Sequence, residues 1–323
     1  LPIPGNGEYE WAGYIPIKQM PHVTNPKNGW YGTANNHNVP EGYPNVFNDF
    51  YSDPARVQRL TEVMNVTENH TIADSEILQY DTKSMNAEKI TPYIKALRVP
   101  RNLRAAQNIL TSWDHRLDRS STAAAIYDIW EQVMIDQLFS RIVPKVHQNN
   151  VSMPSRHKLT QWIIDPPTFV WGDNPVRDRN DLMVSSLDIA VSILKEDFGN
   201  DMEEWIYGEI HYAEIIHPLS HLVNEEMQEQ VNIKPLSRGG GSNTLNANQG
   251  NDRQSSGASF RMIVDTADWD ATKGTNSPGQ SADPRSPHYA DLFEKWNKGE
   301  YFPMYYSKDK IKEHISENIL LKP

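Results

Sequence analysis

Across residues 53–227 apolar side chains recur at three- and four-residue intervals. Ala123, Ile126, Trp130 and Val133 share one stripe, and Met183, Leu187, Ala190 and Leu194 share another. A stretch this long can bury such stripes only by packing helices on one another, so a helical block dominates any fold open to this chain. Thr71 followed by Asp74 predicts a capping box opening a helix through Leu78. Pro92, Pro100, Pro144 and Pro154 predict breaks or first turns.

The flanks read differently. Residues 1–52 are rich in Pro, Gly, Asn and aromatics, which predicts loops and short extended pieces. Residues 29–34 have the aromatic and β-branched content of a strand that would end at the turn-prone Asn35-Asn36 pair. Residues 236–258 carry three consecutive glycines in a polar tract, the composition of an exposed connection. Beyond it, residues 259–265 alternate like a half-buried strand, and Ser286-Pro287 resembles a helix start leading into Leu292, Phe293 and Trp296. Three regions follow: 1–52 strand and loop, 53–235 mainly helical, and 236–323 a glycine-rich connection with a mixed strand and helix return. No repeat of 20–50 residues points to a solenoid or propeller.

Composition narrows the function classes. Among 323 residues, 31 Lys and Arg stand against 42 Asp and Glu, a net charge of −11, so a phosphate-neutralising surface for nucleic acid has no global support. No apolar run approaches the roughly 18–20 residues that span a bilayer. Cysteine is absent, which excludes disulfides, thiolate metal sites and a cysteine nucleophile in this chain, and suits an oxidising compartment. The sequence begins at Leu1 without an initiator Met or a signal segment, so an upstream part is expected to be missing.

His217 and His221 are four apart with Glu225 and Glu226 one turn on, a zinc-like spacing, but Pro218 interrupts it and no HExxH pattern is present, so no metal ligand is assigned. The glycine run lacks the Gly-Lys-Ser/Thr of a phosphate loop. Three glycosylation-type triplets, beginning at Asn65, Asn69 and Asn150, are near the number chance gives in an Asn-rich chain. Tyr9, Trp11, Tyr14, Trp30 and Tyr31 could stack on a sugar, line an acyl pocket or simply pack. No Gly-x-Ser-x-Gly elbow occurs, and local context marks no Ser, His and Asp as partners. Residue chemistry alone therefore reaches an α+β protein and no further.

Three stretches carry a resemblance. The first runs Leu1-Pro2-Ile3-Pro4-Gly5, Glu10-Trp11-Ala12-Gly13-Tyr14-Ile15-Pro16, Asn25-Pro26 and Gly29-Trp30-Tyr31-Gly32-Thr33-Ala34-Asn35-Asn36. The second is Trp113-Asp114 with Ser120-Ser121-Thr122-Ala123-Ala124. The third links Gly257-Ala258-Ser259-Phe260-Arg261 to Pro278-Gly279-Gln280-Ser281 and Ser286-Pro287-His288-Tyr289. Together, spanning nearly the whole chain, they resemble the C-terminal part of the β chain of penicillin acylases, N-terminal-nucleophile hydrolases that include acyl-homoserine-lactone acylases.

The resemblance implies an α+β fold, part of a four-layer αββα sandwich with a large helical insertion. It implies an enzyme that cleaves N-acyl amides through an acyl-enzyme on an N-terminal serine, whose free amine acts as the base. Leu1 cannot be that nucleophile, so the partner implied is a remaining acylase polypeptide carrying the serine, and the substrate a small N-acylated amine. Asn35 matches the family asparagine that donates to the oxyanion, and Arg56 matches a family arginine beside the nucleophile, with Arg59 as the rival on a similar helical face. No cofactor is implied in this chain. A family calcium site would draw mainly on acidic residues of the missing part, with the local position falling near Phe47-Asn48 and Asp49. The resemblance implies a periplasmic or secreted location. Two rival readings stay open: a non-catalytic relative that binds acylated or aromatic ligands through the N-terminal aromatics, and a metal hydrolase centred on His217 and His221.

Overall fold

A computed structural model describes residues 3–47, 51–250 and 252–322. The chain divides into two compact units, Leu1–Ser52 and Asp53–Pro323.

In the larger unit the helices are α1 (Ala55–Val66), α2 (Ile72–Gln79), α3 (Met85–Ala96), α4 (Arg104–Ser112), α5 (Thr122–Ile142), α6 (Arg156–Ile164), α7 (Thr168–Trp171), α8 (Pro175–Phe198) and α9 (Tyr207–Ile210). After them come β1 (Tyr212–Ile215), α10 (Glu225–Val231), β2 (Ile233–Ser237), β3 (Asn248–Gln249), β4 (Ser256–Gly257), β5 (Arg261–Ile263), β6 (Lys273–Thr275), α11 (Phe293–Lys298), β7 (Phe302–Pro303) and α12 (Lys308–His314). The chain is therefore α+β, with the continuous helical run ending at Ile210 and strands entering earlier than the sequence pattern suggested.

The core lies where α5 packs along α8, with α3, α4 and α6 against its flanks. Both sequence stripes are buried there. Ala124, Ala125, Ile126 and Tyr127 are consecutive buried residues, so α5 is enclosed on several sides rather than amphipathic. Its start is fixed by Ser121, whose hydroxyl accepts from the Ala124 N–H at 3.1 Å. Three buried tryptophans anchor the core, and each indole N–H has a carbonyl partner at 3.0 Å: Trp130 on Met183, Trp171 on Trp162, and Trp205 on Gly199. Leaving one such donor unpaired in the interior would cost about 1–3 kcal/mol.

The Thr71 to Asp74 capping box forms as its spacing implied, with the Thr71 hydroxyl and the Asp74 carboxylate each accepting from the other residue's backbone N–H. Pro92 departs from the sequence reading: it sits inside α3 instead of ending it. The lost hydrogen bond is tolerated because Ile90, Thr91 and Ile94 bury that face of the helix in the core.

The sheets are small and antiparallel. β1 pairs with β2, β3 with β4, and β5, β6 and β7 form a three-stranded sheet in that order. Ala213, Phe293 and Trp296 make a second apolar cluster against Ile215, Ile233 and Leu236. The expected strand over 259–265 is present as β5. The expected helix start at Ser286-Pro287 is not: those residues form turns, and α11 begins at Phe293.

The exposed connection read from residues 236–258 holds for 249–258, where the described residues are mostly exposed, and is corrected for 236–248. Arg238, Thr244, Asn246 and Asn248 are buried, and the segment is pinned to loops far away in sequence. The Gly240 N–H donates to Leu117 O at 2.8 Å and the Asn246 N–H to Asp81 O at 2.9 Å. Glycine permits this seating. Gly240 has φ +83°, and a Cβ there would collide with the Asn246 carbonyl oxygen. The composition of a linker is here the composition of a polar backbone layer packed at close range.

Among its described residues, the smaller unit has one 3₁₀ turn, Ile17–Gln19, and no strand. The strand expected over 29–34 is absent. β-forming side chains are decisive only where a neighbouring strand accepts the backbone hydrogen bonds, and none is paired there. Local ring contacts hold the unit instead, with His37 edge-on to Tyr51 at 4.7 Å and Tyr43 stacked on Phe47 at 5.1 Å. Many of its large apolar side chains are exposed, Trp11 at 96% and Tyr14 at 101%.

Candidate active site

Asn35 lies at an exposed bend of the smaller unit, with φ +64°. That left-handed backbone is one that Asn adopts far more readily than most residues. The bend is held on both sides. The Ser52 N–H donates to the Asn35 carbonyl at 2.8 Å, and the Asn36 carboxamide accepts from the N–H of buried Ala34 at 3.1 Å. Asn35 is thus fixed through its backbone while its side chain stays at the surface.

Arg56 occupies the first turn of α1, half-buried, in the larger unit. Burial pulls its guanidinium below arginine's ordinary range, and the charge of Asp53 opposes that pull. The rival Arg59 has its fork committed elsewhere. Its Nε and Nη2 donate to the two Asp81 oxygens at 3.1 and 2.9 Å, and its Nη1 to Glu62 at 2.9 Å. Burial pushes the Asp81 carboxyl up, but the hydrogen bonds from Arg59 and the Lys83 N–H, with Arg116 at 3.2 Å, outweigh it and hold Asp81 below the usual carboxylate range. Arg59 is a structural clamp between α1 and the loop before α3.

Asp53 organises what surrounds the start of α1. One oxygen accepts from the Ala55 N–H at 2.8 Å, and the other accepts from the carboxamides of Asn243 at 2.9 Å and Asn86 at 3.3 Å. His157 stands 3.7 Å from the first. Asp53, Asn243, Ser242 and Arg156 line a cavity of about 360 Å³ whose remaining wall includes Ile135, Met153 and Pro154. A second cavity of about 260 Å³ shares Arg156, Ser242 and Asn243 and is lined also by Asp128, Glu131, Tyr127 and His211. Arg156 reaches Asp128 at 3.3 Å and is in direct contact with Glu131, which also accepts from the Tyr127 hydroxyl at 2.8 Å. Burial pushes the Glu131 carboxyl up against the pull of Arg156 and drives the Tyr127 hydroxyl far above its ordinary range.

Sequence reading singled out none of Asp53, Arg156 or Asn243 as site residues. The signal present was Asp128, Glu131 and Gln132 interrupting the apolar run of α5, where a buried carboxylate demands a cation. Asn35 and Arg56 belong to different units, and each is placed only within its own. His217 and His221 do not share a helix: His217 lies in the turn after β1, where its Nδ1 accepts from the Leu219 N–H at 3.1 Å. His221 sits in the 3₁₀ turn Ser220–Leu222, and Glu225 and Glu226 open α10. Among the described residues no group of three or more acids, histidines or cysteines could hold a metal ion. Asn48 and Asp49, the local positions considered for calcium, lie outside the described residues.

Comparison with known proteins gives the chain a family. The penicillin amidase family model matches residues 1–313. The chain belongs to the penicillin amidase family. Among its relatives, the penicillin acylase 2 proenzyme of Pseudomonas sp. strain SE83 is 29% identical over 96% of this chain and 41% of that protein. The acyl-homoserine lactone acylase QuiP of Pseudomonas fluorescens strain Pf0-1 is 27% identical over 93% of this chain and 39% of that protein. A thermostable penicillin G acylase from Alcaligenes faecalis shares the fold, with TM-score 0.62 and 18% identity over 100% of this chain and 62% of that one. The chain spans about two fifths of the length of these curated relatives. The family is one of acylases, which hydrolyse amides.

Proposed function

We propose that this chain is one part of an N-acyl amide hydrolase whose nucleophile, an N-terminal serine, lies on a remaining polypeptide of a processed precursor. Asn35 carries the reading. It lies in the segment that resembles the family's oxyanion asparagine, and its backbone is locked on both sides of an exposed bend. In the proposed reaction the serine hydroxyl, activated by its own α-amine, attacks the acyl carbonyl. Negative charge gathers on the carbonyl oxygen, and the Asn35 side-chain amide donates to it without giving up a proton. The amine leaves, and water hydrolyses the acyl-enzyme. Arg56, partly desolvated beside Asp53, orients polar groups near the nucleophile.

Two features support a remaining polypeptide. The chain matches only about two fifths of each curated relative. The smaller unit also leaves Tyr9, Trp11, Tyr14 and Tyr31 exposed, and a companion polypeptide would cover them. We place the assembled protein in the periplasm or outside the cell, and assign any calcium mainly to the remaining polypeptide, as the family resemblance implies.

The test is native purification of this chain with whatever accompanies it, followed by intact-mass analysis and N-terminal sequencing. The expected companion begins with Ser. The assembled protein should then cleave phenylacetyl or aliphatic N-acyl amides, and Asn35→Ala should lower kcat about 100- to 1000-fold. Asn35→Gly, which keeps the left-handed backbone, should lose as much, because the amide and not the bend does the chemistry. A loss under tenfold in both removes Asn35 from the reaction. A companion that begins with a residue other than Ser, Thr or Cys ends the catalytic reading and leaves ligand binding at the N-terminal aromatics.

A further inference from the structure

Arg238 and Arg261 are 1% and 6% exposed, and neither has a carboxylate within ion-pairing distance among the described residues. Buried guanidiniums are ordinarily matched by an acid, because an uncompensated charge in the interior is costly. Here neutral groups stand in. Arg238 donates to the side-chain oxygens of Gln254, Asn297 and Asn246, each at 3.1 Å, and lies over the Trp296 ring at 4.1 Å. Arg261 donates to the same Asn246 oxygen at 2.9 Å and lies over Tyr80 at 4.0 Å. A guanidinium carries five N–H donors. Arg238 therefore has donors to spare, and Nη1 of Arg261 is buried with no acceptor at all.

Arg238 opens onto a cavity of about 290 Å³, lined also by exposed Arg119, Ser120, Thr82, Asp118, Asn246 and Asn297. Asp118 is the acid on this wall; it accepts from Thr82 at 2.5 Å and faces Arg116 at 3.9 Å, so its charge is turned toward a third arginine. Burial, followed by the like charges of Arg261 and Arg119, pushes the Arg238 guanidinium down to about 9, the direction expected where positive charge gathers without a counter-ion. We propose that the cavity between Arg119 and Arg238 is an oxyanion-binding site for a phosphate or carboxylate group, with Arg261 adding positive charge from behind Asn246. Planar guanidinium forks suit either group, since each offers paired oxygens to parallel N–H donors. The site stands apart from Asn35 and Arg56 in its residues and does not rest on the acylase reading.

Thermal unfolding of the chain, measured while inorganic phosphate or acetate replaces chloride at constant ionic strength, tests this. Phosphate should raise the midpoint saturably, and Arg119→Gln, altered at an exposed side chain, should abolish most of that rise while keeping the midpoint in chloride. Asn246→Asp, which sets a carboxylate between the two guanidiniums, should blunt the response as well. A saturable response to phosphate alone assigns phosphoryl ligands, and one to acetate assigns carboxylates. No saturable response to either anion, or an undiminished one in Arg119→Gln, overturns the site.

Discussion

Replacing Arg156 by Met isolates the energetics of the buried charges beside the Asp53 cavity. Arg156 is the cation that faces both Asp128 and Glu131, two carboxylates buried on consecutive turns of α5. Without it, Glu131 keeps the Tyr127 hydroxyl at 2.8 Å and Asp128 keeps the Gln132 carboxamide at 2.7 Å, neither of which carries charge. Removing one partner from a buried ion pair costs about 3–5 kcal/mol. With a urea slope of about 3 kcal/mol per molar, the midpoint should fall by about 1–2 M at pH 7. The pH dependence has a definite sign. Burial already lifts the Glu131 carboxyl above its unfolded value, and losing Arg156 lifts it further. A carboxyl raised in the folded state binds more protons folded than unfolded, so the stability it contributes is full below the unfolded value near 4 and drains away as pH rises. The deficit of Arg156→Met should therefore be smallest near pH 4–5 and largest at neutrality, and adding Glu131→Gln should recover part of it. A deficit under about 1 kcal/mol at pH 7, or one that deepens on acidification, would refute this account of the triad.

Two further substitutions probe the scaffold. Gly240→Ala combines a left-handed φ with a clash against the Asn246 carbonyl, so it should destabilise by about 1–3 kcal/mol or more, read as a shifted urea midpoint. Ser121→Ala removes the acceptor at the start of the central helix and should cost about 1 kcal/mol in the same assay, while Ser121→Asp should restore most of it.

The helical block was legible because its signals are local. The stripes of α5 and α8 and the Thr71 to Asp74 cap are each decided within a few residues, and all appear as their spacing implied. Residues 29–34 and 236–248 depart from their sequence reading because composition is silent about neighbours. A strand needs a partner, and a glycine-rich polar tract becomes interior when distant carbonyls accept its N–H groups, as Leu117 and Asp81 do here. Spacing could not show how Arg59 is held, because its partner is a carboxylate 22 residues away. The Asp53 centre drew on the same blind spot, since Asn243 reaches it from 190 residues along the chain.

That polar layer also bears on how the chain reaches its native state. Leu117 bonds to Thr82, Gly240 to Leu117, Gly208 to Arg119, and Arg238 to His211, so loops from three parts of the sequence close on one another through backbone contacts. The α5 and α8 core can assemble from nearer neighbours, whereas the 238–248 segment must wait for a span of more than a hundred residues to be gathered before its contacts give any return. The segment should dock last, as a clasp over a preformed helical body. Until it does, Arg238 and Arg261 remain in water, where their charge costs nothing.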